Sequence, residues 1–207
     1  MDGILHAGGG AYFDGVSFHG YDYYMGSPGQ YCNPGWKSAW NTTGPVGIAK
    51  AHFLEGVLSA HGVTGKFLMN TETAILCTSC ASDATFEATT AYYVAQSYAA
   101  AIAEGWRANL WYSALGWCNS GLLNPDLSPK PAYDAFRAAR SELQDARLVR
   151  EIIHYPGVKG YVFDRGDRQV WMMWSLDGAD HAVTLPMVQL ASGPSSHYRT
   201  PLQAAQP

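Results

Sequence analysis

The residue of this sequence best suited to chemistry is Glu72. It stands between Thr71 and Thr73, directly after an apolar run at residues 66–70 that predicts a strand. A carboxylate at such a strand end can act as a nucleophile or a general base, and flanking hydroxyls can donate hydrogen bonds to it. An exposed Glu that simply ends a strand has the same local sequence, so the position alone leaves both interpretations open.

Three other candidate residues also lie at the ends of predicted strands. His19 and Tyr21 follow an apolar run at residues 13–18, and Trp111 is near the end of a third run at residues 108–112. Functional groups of parallel α/β proteins gather at the C-terminal ends of the strands, which predicts that these side chains surround the carboxylate. A satisfied buried histidine and a packed core tryptophan remain the alternatives for His19 and Trp111.

Helical patterns alternate with these runs. Pro45 begins a helix with an apolar stripe that Gly62 ends, a second helix spans residues 86–105, and a third begins at Pro131 and ends near Arg147. Long loops follow the strands and short turns follow the helices. Three such strand–loop–helix units predict an α/β fold with parallel strands.

The remaining segments show other patterns. Residues 22–44 lack periodicity and predict a long surface loop. Residues 160–164 and 168–175 predict a β-hairpin, to which residues 181–185 add a third strand. Residues 191–207 lack periodicity, which predicts disorder.

These patterns divide the chain into three parts. Residues 1–148 form a partial α/β domain, residues 149–190 a β-rich segment resembling part of a sandwich, and residues 191–207 a disordered tail. Residues 1–10 look like the end of a helix with its glycine stop, and they carry no signal peptide. We therefore expect the chain to be a fragment of a longer protein.

Composition excludes several classes of partner. The net charge is −4, and Lys and Arg are scattered singly, so there is no basic stripe for nucleic acid or an anionic membrane. No run approaches the roughly 20 apolar residues of a membrane span. Thirteen Tyr and seven Trp suit either sugar-binding surfaces or a large aromatic core. We predict a neutral partner, with no nucleic acid and no membrane.

The cysteines predict a disulfide and no metal. Cys77 and Cys80 form a CxxC pair, but a second pair of ligands for zinc is missing. A disulfide-tied loop is therefore favoured over a metal site, and the pairing among Cys32, Cys77, Cys80 and Cys118 stays open. We predict no cofactor.

Three motifs together resemble a known family. Residues 13–21, Phe-Asp-Gly-Val-Ser-Phe-His-Gly-Tyr, resemble the sixth-strand His-x-Tyr segment of clan A glycoside hydrolases. Asn-Thr-Glu-Thr at residues 70–73 resembles their seventh-strand nucleophile motif. The eighth strand and the loop and helix after it are matched by Asn109-Leu-Trp-Tyr112, Ser120-Gly-Leu-Leu and Lys130-Pro-Ala-Tyr133. The motifs cover roughly residues 5–145, in the order and spacing of the family.

The resemblance implies the C-terminal half of a (β/α)8 barrel, strands six to eight, from a retaining xylosidase-like or cellulase-like hydrolase. It implies that Glu72 is the nucleophile and that Tyr21 orients it. The substrate would be an oligosaccharide or glycoside, and the parent protein would be extracellular. The residues implied to bind sugar are His19, Trp111, Trp117 and Asn119.

The sequence departs from the family at one essential position. Retention needs two carboxyl groups about 5 to 5.5 Å apart. The family places its acid/base Glu after an Asn on the fourth strand, and this chain contains no Asn-Glu dipeptide. Three strands also cannot close a barrel of eight. We therefore expect an N-terminal barrel half, absent from this chain, to supply the missing carboxyl.

Two other functions are compatible with the same residues. A non-catalytic carbohydrate-binding protein would use the same aromatic loops, with Glu72 only accepting hydrogen bonds, and the missing second carboxyl favours it. Alternatively, residues 150–190 form an interaction module that the first part only supports. The sequence contains no Gly-x-Ser-x-Gly elbow, no phosphate-binding loop and no His-Glu-x-x-His site, which argues against other hydrolase chemistry.

Overall fold

The computed structural model describes residues 1–185, so the tail predicted at residues 191–207 lies outside the described residues. The elements in chain order are α1 (Asp2–His6), β1 (Gly15–Tyr24), β2 (Tyr31–Asn33), β3 (Ser38–Ala39), α2 (Val46–Ala60), β4 (Phe67–Leu76), α3 (Ala84–Ala103), β5 (Ala108–Trp111), α4 (Pro131–Leu143), β6 (Arg147–Ile152), β7 (Val158–Asp164) and β8 (Gln169–Ser175). A five-stranded sheet has the order β3-β2-β1-β4-β5, and a three-stranded sheet has the order β6-β7-β8.

The larger sheet is built around three parallel strands. β1 pairs with β4 and β4 with β5 in parallel, and α2 and α3 form the connections between them. The predicted α/β fold of three strand–helix units is therefore present. β2 and β3 continue the sheet beyond β1 as antiparallel strands, which makes it a mixed sheet.

Both crossover helices pack on one face of this sheet. Ile48 of α2, Leu68 of β4 and Ala100 of α3 share a buried apolar cluster. The strand order advances from β1 to β4 to β5 without reversal, and right-handed crossovers then place both helices on the same side. In the described part of the chain no helix covers the opposite face, where Tyr23 and Leu110 are about half exposed.

β1 and β4 continue past the predicted strand ends. The parallel ladder extends to the pair formed by Tyr23 and Leu76. His19, Tyr21 and Glu72 therefore lie within strands, not after them as expected. The apolar runs underestimated the strands because the polar residues are held in the ladder by backbone pairing, which composition does not reveal.

Three other expectations were wrong, and they concern residues 22–44, residues 181–185 and the end of α4. Residues 22–44 are not simply a loop, because they include the end of β1 together with β2 and β3. The fully buried Tyr31 of β2 anchors this segment against Tyr93, with ring centroids 4.8 Å apart.

The third strand of the small sheet is β6, not residues 181–185, which have no regular structure. α4 ends at Leu143 instead of near Arg147, and Asp145 with a φ of 60° turns the chain into β6. β6 precedes the hairpin of β7 and β8 that it joins, and its Ile152 is fully buried.

A disulfide-tied loop was expected with its pairing open, and the structure pairs Cys77 with Cys80, while Cys32 and Cys118 are free thiols. Within residues 1–185, no helix has both the length and the apolar character needed to cross a membrane.

Candidate active site

Glu72 and Tyr21 form a hydrogen-bonded pair on neighbouring parallel strands. The Tyr21 hydroxyl donates to Oε2 of Glu72. A β-bulge in β4 makes this contact possible, because the register shifts so that Asn70 pairs with Phe18 and Glu72 pairs with His19. Without the bulge, strict alternation would turn Glu72 to the helix-covered face with Asn70. The bulge therefore aims the carboxylate at the uncovered face.

The surroundings keep the Tyr21 hydroxyl protonated. Burial raises the pKa of Tyr21 well above its usual range, and the hydrogen bond to Glu72 and the charge of that carboxylate raise it further. The phenol is therefore a permanent donor at physiological pH. The Glu72 side chain remains 30% exposed, so an incoming molecule can reach it.

His19 completes the polar group at this point of the sheet. Its Nδ1 lies 3.2 Å from Oε2 of Glu72, and more than half of its side chain is exposed. The alternative of a buried structural histidine does not apply. Lys50 of α2 donates a hydrogen bond of 2.6 Å to the backbone carbonyl of His19 and so ties β1 to the helix.

Aromatic rings border the pair on the β5 side. Tyr112 and Trp117 both meet Tyr21 edge to face, with ring centroids 6.3 Å and 6.2 Å away. Trp117, which the sequence predicted, is 55% exposed. Tyr112 was not predicted. The alternation of β5 could have indicated it, because Trp111 and Tyr112 must face opposite sides of a strand.

Trp111 lies on the other face from the one expected. Its ring packs 6.1 Å from that of Tyr93 of α3, and its indole N–H donates to the carbonyl of Ser120 at 2.9 Å. This is the core-packing alternative, and the structure does not bring Trp111 to Glu72.

Asn119 joins two loops instead of lining an open cleft. Its side-chain amide donates to the carbonyl of Cys77 at 2.7 Å, and the backbone N–H of Cys77 donates to the carbonyl of Cys118 at 3.1 Å. These two hydrogen bonds therefore attach the loop that contains Trp117 to the disulfide-tied loop after β4.

Removing the disulfide is expected to destabilise the protein modestly. In the chain-entropy treatment, a loop as short as that between Cys77 and Cys80 contributes about 2 kcal/mol. The double variant Cys77→Ser/Cys80→Ser should lose about this much unfolding free energy in urea. The control is Cys32→Ser, which removes a free thiol. Equal midpoints for the double variant and the wild type would contradict the prediction.

Asp22 is a buried carboxyl on the helix-covered face. Its Oδ2 accepts hydrogen bonds from the Val46 N–H at the start of α2, at 2.8 Å, and from the Tyr93 hydroxyl, at 2.9 Å. Its Oδ1 has no protein partner among the described residues. Burial raises the pKa of Asp22 to about 7, against the lowering effects of Val46, Tyr93 and Lys50.

This pKa predicts a pH-dependent stability. Because the pKa is higher in the folded protein than in an unfolded chain, protonation stabilises the fold. The contribution is complete below about pH 4, falls by up to about 1.4 kcal/mol per pH unit, and is lost as the pH rises through 7. Asp22→Asn should remove this slope in urea unfolding measured from pH 4 to pH 8. Parallel profiles for the two proteins would contradict the assignment.

The carboxylates near the other strand ends do not lie beside Glu72 at the candidate site. Asp22 faces the helices, and Asp83 caps α3 by accepting from the N–H groups of Thr85 and Phe86. Asp14 precedes β1 and so lies at the opposite end of the strand. Of these strand-end carboxylates, only Glu72 lies at the candidate site.

Comparison with known proteins gives one similar structure. No protein-family model matches this chain, and no curated protein matches it. A family 39 glycoside hydrolase from the gut symbiont Bacteroides cellulosilyticus WH2 superposes with a TM-score of 0.59 at 19% sequence identity. The match covers 84% of this chain and 36% of that one, so the chain spans about a third of that protein. The likeness shows a glycoside hydrolase-like fold.

Proposed function

We propose that this chain is the C-terminal part of a retaining glycoside hydrolase in which Glu72 is the nucleophile. The observation that carries the proposal is the contact between the Tyr21 hydroxyl and the Glu72 carboxylate on adjacent parallel strands. The glycoside hydrolase-like fold supports it. The substrate is an oligosaccharide or another glycoside.

The geometry suits nucleophilic attack by one carboxylate oxygen. Both polar contacts of the described chain, from Tyr21 and His19, fall on Oε2. Oε1 is thereby left to attack the anomeric carbon while Oε2 is held. The bond to the leaving oxygen breaks as an acid protonates it, and water assisted by the same group as base then releases the sugar from Glu72.

The acid/base is proposed to come from residues beyond this chain. β1, β4 and β5 advance in one direction with both helices on one face, as in a (β/α)8 barrel, where the other face is the interior. Only the last residues of β1 pair with β2, so most of its outer edge is unpaired among the described strands. An N-terminal barrel half can pair there and place a second carboxylate opposite Glu72.

Within this proposal the aromatic residues have different roles. The exposed ring of Trp117 and the ring of Tyr112 offer surfaces for the apolar face of a sugar. Trp111 and Asn119 instead hold the loop after β5 in place.

A covalent trap tests the nucleophile without the missing acid. An activated leaving group such as dinitrophenolate needs no protonation, so a dinitrophenyl 2-deoxy-2-fluoroglycoside can react with Glu72 alone. We expect the intact mass to rise by one fluoroglycosyl group for at least one sugar of a panel. Peptide mapping should place it on Glu72, and Glu72→Gln should stay unlabelled. Labelling elsewhere, or none by any sugar, would refute the proposal.

None of the other strand-end carboxylates, Asp14, Asp22 and Asp83, accompanies Glu72, which favours one alternative, a non-catalytic carbohydrate-binding protein. Such a protein would bind sugars through Trp117 but form no adduct. Quenching of tryptophan fluorescence by sugars, lost in Trp117→Ala, together with no covalent labelling would favour this alternative.

A further inference from the structure

We infer that Asp22, Tyr93 and Thr73 form a positioning network that holds Tyr21 against Glu72 from the opposite face of the sheet. The inference deepens the proposed function and rests on it only for the effect on turnover. Asp22 directly follows Tyr21 in the chain, and Thr73 directly follows Glu72. Each member of the contacting pair therefore has a neighbour in the network.

Hydrogen bonds join the two strands behind the site. The Thr73 hydroxyl of β4 donates to the carbonyl of Gly20 in β1 at 2.9 Å. The Tyr93 hydroxyl of α3 donates to Asp22 of β1 at 2.9 Å and lies 3.5 Å from the Thr73 hydroxyl. Asp22 also accepts the Val46 N–H, which fixes β1 to α2.

The network lies next to the β-bulge, where the pairing of β1 with β4 is interrupted. The bulge interrupts the regular pairing of β1 and β4 just before Glu72, and pairing resumes with Gly20 and Thr73. A bulge locally weakens a ladder, because one residue is left without a partner. Thr73 ties β4 to β1 through the Gly20 carbonyl, and Asp22 fixes β1 to α2 and α3, directly after this break. They therefore set how far Tyr21 lies from the carboxylate.

Packing alone does not account for these residue types. Asp22, Thr73 and Tyr93 are all essentially fully buried. A buried carboxyl with one oxygen unpaired is unfavourable compared with an apolar residue of similar size. Buried polar groups of this kind can instead specify a single arrangement of the chain.

The phenol of Tyr21 reports the contact without any need for turnover. Its pKa is raised most by burial and further by the hydrogen bond to Glu72 and by the Glu72 charge, while Asp22 is not among the causes. A variant that increases the distance between Tyr21 and Glu72 therefore lowers the pKa of Tyr21, although both side chains are still present. The full chain labelled with ¹³Cζ-tyrosine allows the titration to be followed by NMR, with the Tyr21 signal identified from Tyr21→Phe.

We expect Tyr93→Phe and Thr73→Val each to lower the pKa of Tyr21 by about one unit or more. Thr73→Ser keeps the hydroxyl and should behave as the wild type. Matched controls are Tyr31→Phe and Thr90→Val, which remove buried hydroxyls that bond to Gln96 and to the Phe86 carbonyl outside the network. Both controls should leave the Tyr21 pKa unchanged.

An unchanged Tyr21 pKa in folded Tyr93→Phe would overturn the inference, as would equal shifts in network variants and controls. If Thr73→Val does not fold, Tyr93→Phe against Tyr31→Phe decides alone. A failure of covalent labelling overturns the proposed function but leaves this titration valid. If the chain or its assembled barrel hydrolyses aryl glycosides, the network variants should lower kcat with little change in KM, and Thr73→Ser should restore it.

Discussion

Glu72→Gln is expected to lower the hydrolysis of aryl glycosides by at least about 10⁴-fold while sugar binding stays nearly intact. The amide has the shape of the carboxylate but cannot form the glycosyl ester. The protein for this measurement is the assembled barrel, which is the chain mixed with an N-terminal half that carries the acid/base. The measurement is kcat/KM for a panel of aryl glycosides, with binding followed by tryptophan fluorescence.

The matched control is Glu55→Gln on the exposed side of α2, which makes the same chemical change away from the site. It should retain full activity. If the mixture is active, near-normal turnover by Glu72→Gln would remove Glu72 from the mechanism. If the wild-type mixture is folded but inactive, the carbohydrate-binding alternative is favoured.

Tyr21→Phe is expected to lower kcat by roughly 10²-fold, with a much smaller effect on KM. The phenol donates to Oε2 of Glu72 from a position fixed by the two strands, so it orients the nucleophile and steadies its charge. Loss of the hydroxyl leaves the ring and its contacts with Tyr112 and Trp117 in place. The steady-state constants should therefore separate the hydrogen bond from packing.

Tyr12→Phe provides the comparison, because Tyr12 is almost fully exposed and precedes β1, at the end of the strand away from the site. It should be indistinguishable from the wild type. A Tyr21→Phe variant with unchanged kcat and a raised KM would show that Tyr21 binds sugar instead of orienting Glu72.

Much of the fold could be predicted from local patterns. The starts of α2 and α4 near Pro45 and Pro131 follow from the backbone chemistry of proline, and apolar periodicity separates helices from strands. The short strands β2, β3 and β6 were missed or misplaced. They are held by backbone pairing with a neighbouring strand, as when Ile152 of β6 pairs with Gly160 of β7, and the residue pattern within one segment does not show that pairing.

The candidate site was predicted in part. His19 and Tyr21 lie beside Glu72, where parallel strand ends led us to expect them. Trp111 and Asn119 instead support loops. Both are residue types that also bind sugars, so their identity could not distinguish a contact with ligand from a contact within the protein.

Residue type and local periodicity are properties of short segments, and they suffice to show which groups are available and that parallel strands bring Glu72 and Tyr21 to neighbouring positions. The direction in which each side chain faces depends on how the segments pack together. The alternation of a strand makes Trp111 and Tyr112 point to opposite sides but does not say which side holds the helices. The bulge before Glu72 turns this side chain to the face opposite to the one that strict alternation predicts. The bulge depends on the register between β1 and β4, which arises only when the two strands pair.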